Sequence, residues 1–350
     1  MTKRILFILL ALVLAVSISL IGCGGGQQEE EEEEALRITM GSTEAVSSFY
    51  PMCSQIVNLI NQDCEGVVEV TLVETSASYD NTGRMQLGQI DTSLVVGHEP
   101  TQELYAGTGH YEGDPPREDL RNWHVQVCPQ DLIVVWENSP IYDIEDLEGE
   151  HFHIGHVGSG SLEHMTKIME ILDIEVDHYP GSMADAVTAM KDRMIVGMYK
   201  TAPLRGLDST MLDLQSIDPI RIFCLTTEQK DKVVAGGGFP TWQHMEMGPW
   251  AGFDEPQGDF WTTFRPMTSL LTSDIPQEVG YLMTKAIFEH PDEMLATMSM
   301  FVTDPERQLK LHISLAGNPP MAPMHAGVIQ YWKELGLDVP AELIPPEYTE

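Results

Sequence analysis

Lysine and arginine are scarce in this sequence, and their scarcity restricts what the protein can bind. The 350 residues include 19 basic side chains against 54 aspartates and glutamates, a formal net charge of −35. Nucleic acid is bound through basic contacts to its phosphates, so this charge excludes nucleic acid as a partner. An anionic lipid surface is disfavoured for the same reason. Any anionic ligand would need a basic residue placed locally against this field.

Cysteine is also rare, and its spacing is not that of a metal site. The five cysteines include no Cys-x-x-Cys pair and no Cys/His ligand spacing. No metal or other cofactor is therefore predicted. Cys53 and Cys64 fall on one predicted helix, too far apart along its axis for a disulfide. Cys128 and Cys224 fall on separate predicted strands and could pair only if those strands are neighbours.

The first 23 residues have the features of an export signal. Lys3 and Arg4 precede a long apolar run that ends in LIGC at Cys23. The run is long enough to cross a bilayer, so a plain membrane anchor is the alternative. The LIGC ending resembles a bacterial lipobox and favours a lipoprotein signal peptide over residues 1–23 with a lipid on Cys23. Residues 24–35 contain three glycines and six glutamates and are predicted to form a solvated acidic tether.

Strand and helix patterns alternate from residue 36 onward. Apolar, β-prone segments at 36–40, 67–74 and 92–97 are separated by two helical patterns. A second alternating series extends from 125 to 226, and helical patterns close the chain. This alternation predicts an α/β fold in which mostly parallel sheets are flanked by helices.

Two such series, joined by long extended strands, predict two lobes. Lobe I is expected to comprise residues 36–128 and 265–350, and lobe II residues 129–264. The chain leaves lobe I through one long strand and must return through another. We therefore expect the lobes to close on a ligand held in the cleft between them.

The loops that follow the predicted strands are rich in hydroxyl groups and glycine. Ligands of open parallel sheets lie beyond the carboxyl ends of the strands, where loops lead into helix N-termini. Two lobes that present such loops to each other would form a cleft for a small polar or anionic molecule. The loops are GSTEAVSS (41–48), TSAS (75–78), VGHE (96–99), GSGS (158–161) and YKTAP (199–203).

The segment HFHIGHVGSGSLEHMTK (151–167) combines four histidines with a Gly-Ser-Gly-Ser turn, and it permits several interpretations. A metal site could use His151 and His153 on one strand face together with His164. However, no carboxylate or cysteine lies at a familiar ligand spacing. The alternative is that these histidines are edge-strand and surface residues.

The Gly-Ser-Gly-Ser turn departs from both phosphate-loop and nucleophile motifs. It lacks the lysine and the spacing of GxxxxGK[ST], and Val157 occupies the first glycine position of GxSxG. No acid–histidine pair follows as a recognisable triad, so no catalytic residue is predicted. The remaining interpretation is that Ser159 or Ser161 caps the following helix. The glycines would then allow backbone N–H groups to point into the cleft.

Few basic residues lie near these loops, which makes each of them informative. Lys200 ends the strand before the last loop and is expected to reach a ligand carboxylate through a charge-assisted hydrogen bond. Lys200→Met should then weaken binding about ten-fold. Arg84 lies one turn into the helix after TSAS. The alternatives are that Lys200 is solvated and that Arg84 pairs with Asp80 or Asp91.

Taken in order, four segments resemble the TAXI-type solute-binding subunits of TRAP (tripartite ATP-independent periplasmic) transporters. Together they span roughly residues 36–337, and their combined pattern is more specific than any one segment. They are ITMGSTEAVSSFYPM (38–52), VTLVETSASYDNTGRMQLGQIDTSLV (70–95), DLIVVWENSPIYDIEDLEGEHFHIGHVGSGS (131–161) and PMHAGVIQYWKELGL (323–337).

The resemblance implies a two-lobed, type II-like periplasmic binding protein that is not an enzyme. Such a receptor would be extracytoplasmic and lipid-anchored. It would capture a small carboxylate or amino acid and deliver it to the membrane permease subunits of a TRAP transporter. The residues expected to contact the ligand are Ser42, Thr43, Ser48, Tyr50, Ser78, Asn81, His98, Ser159, Gly160, Ser161 and Lys200.

The sequence departs from the family pattern at positions expected in the cleft. Gly97, His98 and Glu99 replace a common Gln-Ser-Asp, and residues 44–46 (Glu-Ala-Val) stand where glycines are common. The identity of the ligand is therefore not carried over from the family. A ligand-sensing lipoprotein of the same fold that signals to a membrane partner is the alternative function. An enzyme would need a base next to Ser159 or Ser161.

Overall fold

The computed structural model describes most of the chain after the predicted tether. The described residues are 34–127, 129–239, 242–263, 265–315 and 321–350. The predicted signal peptide, the lipidation site at Cys23 and most of the tether lie outside them. Residues Ala35–Glu350 form one compact unit. None of the helices in the described part of the chain has the length and apolar character of a membrane span.

The first sheet has five strands and takes its last one from a distant part of the chain. Its strands are β1 (Leu36–Gly41), β2 (Val68–Val73), β3 (Thr92–Gly97), β4 (Leu120–Val127) and β12 (Met267–Thr272). The spatial order is β2-β1-β3-β12-β4. Only β12 runs against the others, since it pairs antiparallel with both β3 and β4.

The second sheet repeats this topology. Its strands are β5 (Gln130–Trp136), β6 (His151–His153), β7 (Asp177–His178), β8 (Gly197–Ala202) and β9 (Ile220–Phe223). The spatial order is β7-β6-β8-β5-β9, and only β5 runs against the others. In both sheets the reversed strand is the first one formed after the chain arrives from the other sheet.

Helices cover both sheets. Those of the first sheet are α1 (Tyr50–Asp63), α2 (Ser78–Gln86), α3 (His98–Ala106), α8 (Gln277–Phe288), α9 (Pro291–Thr297), α10 (Pro305–Leu315) and α11 (Ala326–Glu334). Those of the second sheet are α4 (Gly160–Leu172), α5 (Met183–Lys191), α6 (Ser209–Gln215) and α7 (Thr227–Ala235). Three 3-10 turns cover Gly109–Tyr111, Ile144–Leu147 and Ala341–Leu343, and β10 (Trp242–Met245) pairs with β11 (Phe260–Thr263) as an antiparallel ribbon.

Each sheet has its own hydrophobic core. In the first, α1 packs against α8 and α9 and buries Met52, Ile56 and Ile60. Pro51 occupies its first turn, where the missing N–H costs no helical bond. In the second, all seven residues of β5 are buried, as the apolar run LIVVW predicts for a central strand. The predicted α/β architecture of two mostly parallel sheets flanked by helices is confirmed.

Two local predictions are corrected. The single strand predicted over residues 125–137 is two strands, β4 and β5, which belong to different sheets. Residues 120–126 of β4 and all of β5 are buried, so burial does not change where the chain passes from one sheet to the other. The segment VGHE, predicted as a loop, ends β3 and begins α3, with Glu99 in the first helical turn. The predicted lobe boundaries fall at residues 128 and 264, which lie outside the described ranges, so they stay predictions.

Candidate functional site

A cavity of about 80 Å³ lies between the two sheets, at the ends of β1, β3, β6 and β8. A water molecule needs roughly 10–15 Å³ of such space, so the cavity has room for a small solute. Seven of the residues predicted to contact a ligand line its wall. They are Thr43, Ser48, Ser78, Ser159, Gly160, Ser161 and Lys200.

Hydrogen bonds between the two sides surround this cavity. The Tyr79 N–H donates to the Gly158 carbonyl at 2.9 Å. The Met183 N–H donates to Glu44 Oε2 at 3.1 Å, and His164 Nε2 lies 2.9 Å from Glu99 Oε2. Protein groups beside the first sheet and beside the second sheet therefore contact each other directly around the cavity.

Four of the predicted contact residues do not line the cavity. The Ser42 hydroxyl donates to the Val73 carbonyl at 2.8 Å, and the Asn81 amide donates to the carbonyls of Ser42 and Val95, both at 2.9 Å. These groups therefore join β1, β2 and β3 instead of facing a solute. Tyr50 and His98 are the first residues of α1 and α3, outside the wall.

Arg265 is a wall residue that sequence reasoning missed. It lies between β11 and β12, on the segment that returns to the first sheet. Its Nε and Nη2 donate to the two carboxylate oxygens of Asp131 at 2.8 and 2.5 Å. The hydroxyls of Thr201 and Thr263 also donate to Asp131, at 2.7 and 2.5 Å. The Asp131 side chain is buried and that of Arg265 is mostly buried, with exposures of 2% and 12%.

The ion pair fixes the charge of both groups. Burial alone would raise the pKa of the Asp131 carboxyl, but the charge and hydrogen bonds of Arg265 outweigh it and hold that pKa below its usual value. Burial would likewise lower the pKa of the Arg265 guanidinium, and Asp131 reverses that effect. Arg265 is therefore a permanently charged and rigidly oriented cation.

One nitrogen of Arg265 is left for a ligand. Among the described residues Nη1 has no hydrogen-bond acceptor, and it lies 3.1 Å from the position that a Cβ on Gly160 would occupy. Gly160 begins α4, whose first N–H groups have no intrahelical acceptor. Ser159 caps this helix by accepting from the Leu162 N–H, which leaves the N–H groups of Gly160 and Ser161 at the wall. Together with Arg265 Nη1 they form a cradle for an anionic group.

Ser78 adds a donor to this cradle. Its Oγ accepts from the Gly97 N–H at 3.1 Å, so its own proton remains available. It also lies 3.5 Å from the Cβ position of Gly160. The cradle therefore combines groups beside both sheets, Ser78 beside the first and the α4 N-terminus beside the second.

The other basic residues considered from the sequence already have partners. Lys200 lines the wall, but its ammonium pairs with Asp208, and both side chains are almost fully buried. Arg84 pairs with Asp80 at 2.8 Å and does not line the cavity. The alternative interpretation of Arg84 is thus the one that the structure shows.

The wall also carries an acid, so its charge is mixed. Glu44 lines the cavity, where Oε2 accepts from the Met183 N–H at the start of α5. Its Oε1 lies 3.8 Å from His156 Nε2. The wall can therefore meet a solute that carries both a negative and a positive group.

The histidines of residues 151–167 have separate partners. His153 Nδ1 lies 2.9 Å from the Tyr179 carbonyl, and burial lowers its pKa to about 4. His156 Nε2 lies 3.2 Å from the Ser76 carbonyl and His164 binds Glu99. Of the four, only His156 lines the cavity. In the described part of the chain, no cluster of His, Cys, Asp or Glu has the geometry of a metal site.

The described cysteines form no disulfide. Cys53, Cys64 and Cys224 are free and buried, and Cys128 lies outside the described residues. Burial raises the pKa of the Cys224 thiol to about 12 and that of Cys64 to about 11, so both are protonated at neutral pH.

Comparison with known proteins assigns the chain to a family. The NMT1-like family matches residues 40–336. One similar solved structure is the alkanesulfonate-binding protein SsuA from Xanthomonas axonopodis pv. citri bound to MOPS, with 15% identity, a TM-score of 0.44 and coverage of 86% of this chain and 91% of that chain. Another is the ligand-binding component of an ABC-type import system from Staphylococcus aureus with zinc bound, with 12% identity, a TM-score of 0.46 and coverage of 89% and 97%. These values are too low to carry a ligand from those proteins to this one.

Proposed function

The chain belongs to the NMT1-like family, and on that premise we propose that it is an extracytoplasmic solute-binding receptor. In this proposal it captures a small carboxylate or amino acid between its lobes and delivers it to a membrane permease. The observation that carries the ligand class is the buried Arg265, which presents Nη1 beside the N-terminus of α4.

The local cradle can outweigh the acidic surface. A hydrogen bond to a charged group contributes about 1.5–3 kcal/mol, and a helix N-terminus adds about 0.3–1 kcal/mol for an anion. Surface charges are screened within about 8–10 Å at physiological ionic strength. A carboxylate held by Arg265, Gly160 and Ser161 is therefore compatible with a protein of net charge −35.

An amino acid satisfies the wall better than a dicarboxylate. A second carboxylate would need a second cation, and Lys200 is committed to Asp208. An ammonium group, by contrast, can bind the carboxylate of Glu44, which lies on the same wall. The mixed charge of the wall thus favours a zwitterion.

The serines of the Gly-Ser-Gly-Ser turn support binding and not catalysis. The Ser159 hydroxyl donates to the His156 carbonyl at 2.7 Å while it caps α4. The Ser161 hydroxyl lies 3.2 Å from that of Thr201. In the described residues neither serine has a base as its hydrogen-bond partner, so neither is activated as a nucleophile.

The sequence motifs support a more specific proposal for the partner and the location. The four segments that resemble TAXI-type subunits favour the permease of a TRAP transporter as the partner. The LIGC sequence favours a receptor held at the membrane by a lipid on Cys23. A gene for a TRAP-type permease beside the gene of this protein would support the first assignment.

A thermal-shift screen of the full-length protein tests the ligand class. The panel contains amino acids, small mono- and dicarboxylates, neutral sugars and simple amines at equal concentration. A ligand at 100 times its Kd stabilises the folded state by about 2.7 kcal/mol, so a binder raises Tm. We expect an amino acid or small carboxylate to raise Tm. A shift produced only by a neutral sugar or by a cation would contradict the proposal.

A further inference from the structure

The helix α2 lacks a cap of its own and takes one from the opposite lobe. Its N-cap residue is Ala77, which offers no side-chain acceptor. The first N–H groups of a helix have no intrahelical acceptor and need another partner. Here the N–H groups of Tyr79 and Asp80 both donate to the Gly158 carbonyl, at 2.9 and 3.1 Å. This contact joins a loop of lobe II to a helix of lobe I.

Position 158 strongly favours glycine in this structure. Its φ is +85°, a conformation that costs little without a Cβ. A Cβ added there would lie 3.0 Å from Asp80 Cβ and 3.4 Å from Ser76 Cβ, both across the interface. Gly158 does not line the cavity. A side chain at this position would therefore separate the lobes without touching a solute.

A second hydrogen bond joins the same two segments. His156 Nε2 lies 3.2 Å from the Ser76 carbonyl, so the ring nitrogen donates across the interface. Residues 156–158 of lobe II and residues 76–80 of lobe I thus meet through three hydrogen bonds beside the cavity.

We propose that these two segments form a latch that holds the lobes closed, with Gly158 as the residue that permits the contact. The latch caps α2 only when the lobes meet, so the open form loses three hydrogen bonds between protein groups. The latch therefore shifts the equilibrium toward the closed form. The apparent affinity for a solute then increases with the fraction of molecules that are closed. The latch depends on the two-lobed fold and not on the identity of the solute.

Amide hydrogen exchange in the full-length protein tests the latch residue by residue. In the wild type, the amides of Tyr79 and Asp80 should exchange about ten-fold or more slowly than those of Gly160 and Ser161, which begin α4 without an acceptor among the described residues. This comparison needs no variant. Equal exchange rates at the two helix starts would overturn the proposal.

Two alanine variants supply the matched comparison. Gly158→Ala should raise exchange at Tyr79 and Asp80 by about ten-fold or more, while exchange at Met85 in the same helix stays unchanged. Gly149→Ala is the control, because Gly149 also has a positive φ of +72° but nothing within 4 Å of an added Cβ. It should leave Tyr79 and Asp80 protected. Retained protection in Gly158→Ala, or equal loss in Gly149→Ala, would show that no such latch operates.

Discussion

Lys200 and Asp208 form an ion pair on the cavity wall in which only 4% and 3% of the side chains are exposed. Removing one member of such a pair leaves the other charge buried without a partner, which typically costs about 3–5 kcal/mol. We expect Lys200→Met to lower the free energy of unfolding by about that amount in urea titrations. Lys200→Met with Asp208→Asn should recover most of it, because Asn can still accept from the Met211 N–H as Asp208 does.

The double variant also decides whether Lys200 binds the solute. Sequence reasoning expects the loss of Lys200 to weaken binding about ten-fold. In the double variant the stability defect is largely removed, so an affinity change reports contact with the solute. Wild-type affinity in this variant would remove Lys200 from the binding residues, and wild-type stability in Lys200→Met would contradict the buried pair.

Position along the strands was enough to place some wall residues and not others. Thr43 and Ser159 lie in the loops that follow β1 and β6, so the carboxyl-edge rule brings both to the cavity. Asn81 also lies in a segment that follows a strand, but its amide donates to two backbone carbonyls. Those hydrogen bonds cannot be read from the sequence. Arg265 precedes β12 instead of following a strand. A signal for it exists, since it is a lone basic residue at the predicted lobe boundary of a very acidic chain.

At the scale of elements, β4 and α10 enclose a pair of neutral histidines. Burial lowers the pKa of His124 to about 3, with a further contribution from His312. Burial also lowers the pKa of His312 to about 3, with a contribution from His98. In the unfolded chain a histidine has a pKa of about 6.5, so at lower pH the unfolded state binds more protons. Proton uptake by the unfolded state lowers the free energy of unfolding. The two neutral histidines therefore have their full stabilising effect above pH 6.5 and lose it as the pH falls toward 3.

We predict that the free energy of unfolding decreases on acidification. The decrease should be smaller when one of these histidines is replaced. Between pH 6 and 4, His312→Gln should reduce the slope of the unfolding free energy against pH by about one proton, or about 1.4 kcal/mol per pH unit. His244 is exposed and serves as the control through His244→Gln. An unchanged slope in His312→Gln would mean that this histidine is protonated alike in the folded and unfolded states.

Element boundaries could be read from the sequence only where polarity changes with the structure. The apolar face of α1 can be read from the sequence because its buried residues recur at helical spacing. The strand β5 can be read because it is a continuous apolar run that is buried throughout. The change from β4 to β5 is not visible, since both strands are buried and only their sheets differ. The sequence pattern predicts a loop at His98 and Glu99, although an acidic residue such as Glu99 is favourable in the first turn of a helix.

At the scale of the whole molecule, the sequence allows the order of the parallel strands in each sheet to be predicted. Alternating strands and helices require crossover connections, which gives β2-β1-β3 and β7-β6-β8. The insertion of β12 and β5 into the opposite sheet depends on contacts distant in sequence. The cavity between the sheets depends on the same contacts, so periodicity alone could not predict the residues that meet there.

The lipid anchor is a prediction about the whole molecule, because under the proposed function it would hold the receptor beside a permease. Cys23→Ser should release the protein from the membrane fraction or leave the precursor uncleaved. Cell fractionation and mass spectrometry of the N-terminal peptide measure both outcomes. A wild-type protein that begins at Ala35 and carries no lipid would contradict this prediction.

The same receptor should become more compact when its solute binds, since the solute favours the closed form. Small-angle scattering of the full-length protein with and without the best compound of the thermal-shift panel measures this change. We expect a smaller radius of gyration with the compound. An unchanged radius for every stabilising compound would count against closure of the lobes on the solute.

The most direct test of the carboxylate cradle is calorimetric titration of that best compound into a variant without the buried pair. Asp131→Asn with Arg265→Met removes both charges together, which avoids a buried unpaired group. Arg117→Met with Asp119→Asn is the matched control, because that pair is also bidentate but lies away from the cavity. We predict an affinity about ten-fold or more below wild type in the first variant and wild-type affinity in the control. Wild-type affinity in the Asp131/Arg265 variant would contradict the account.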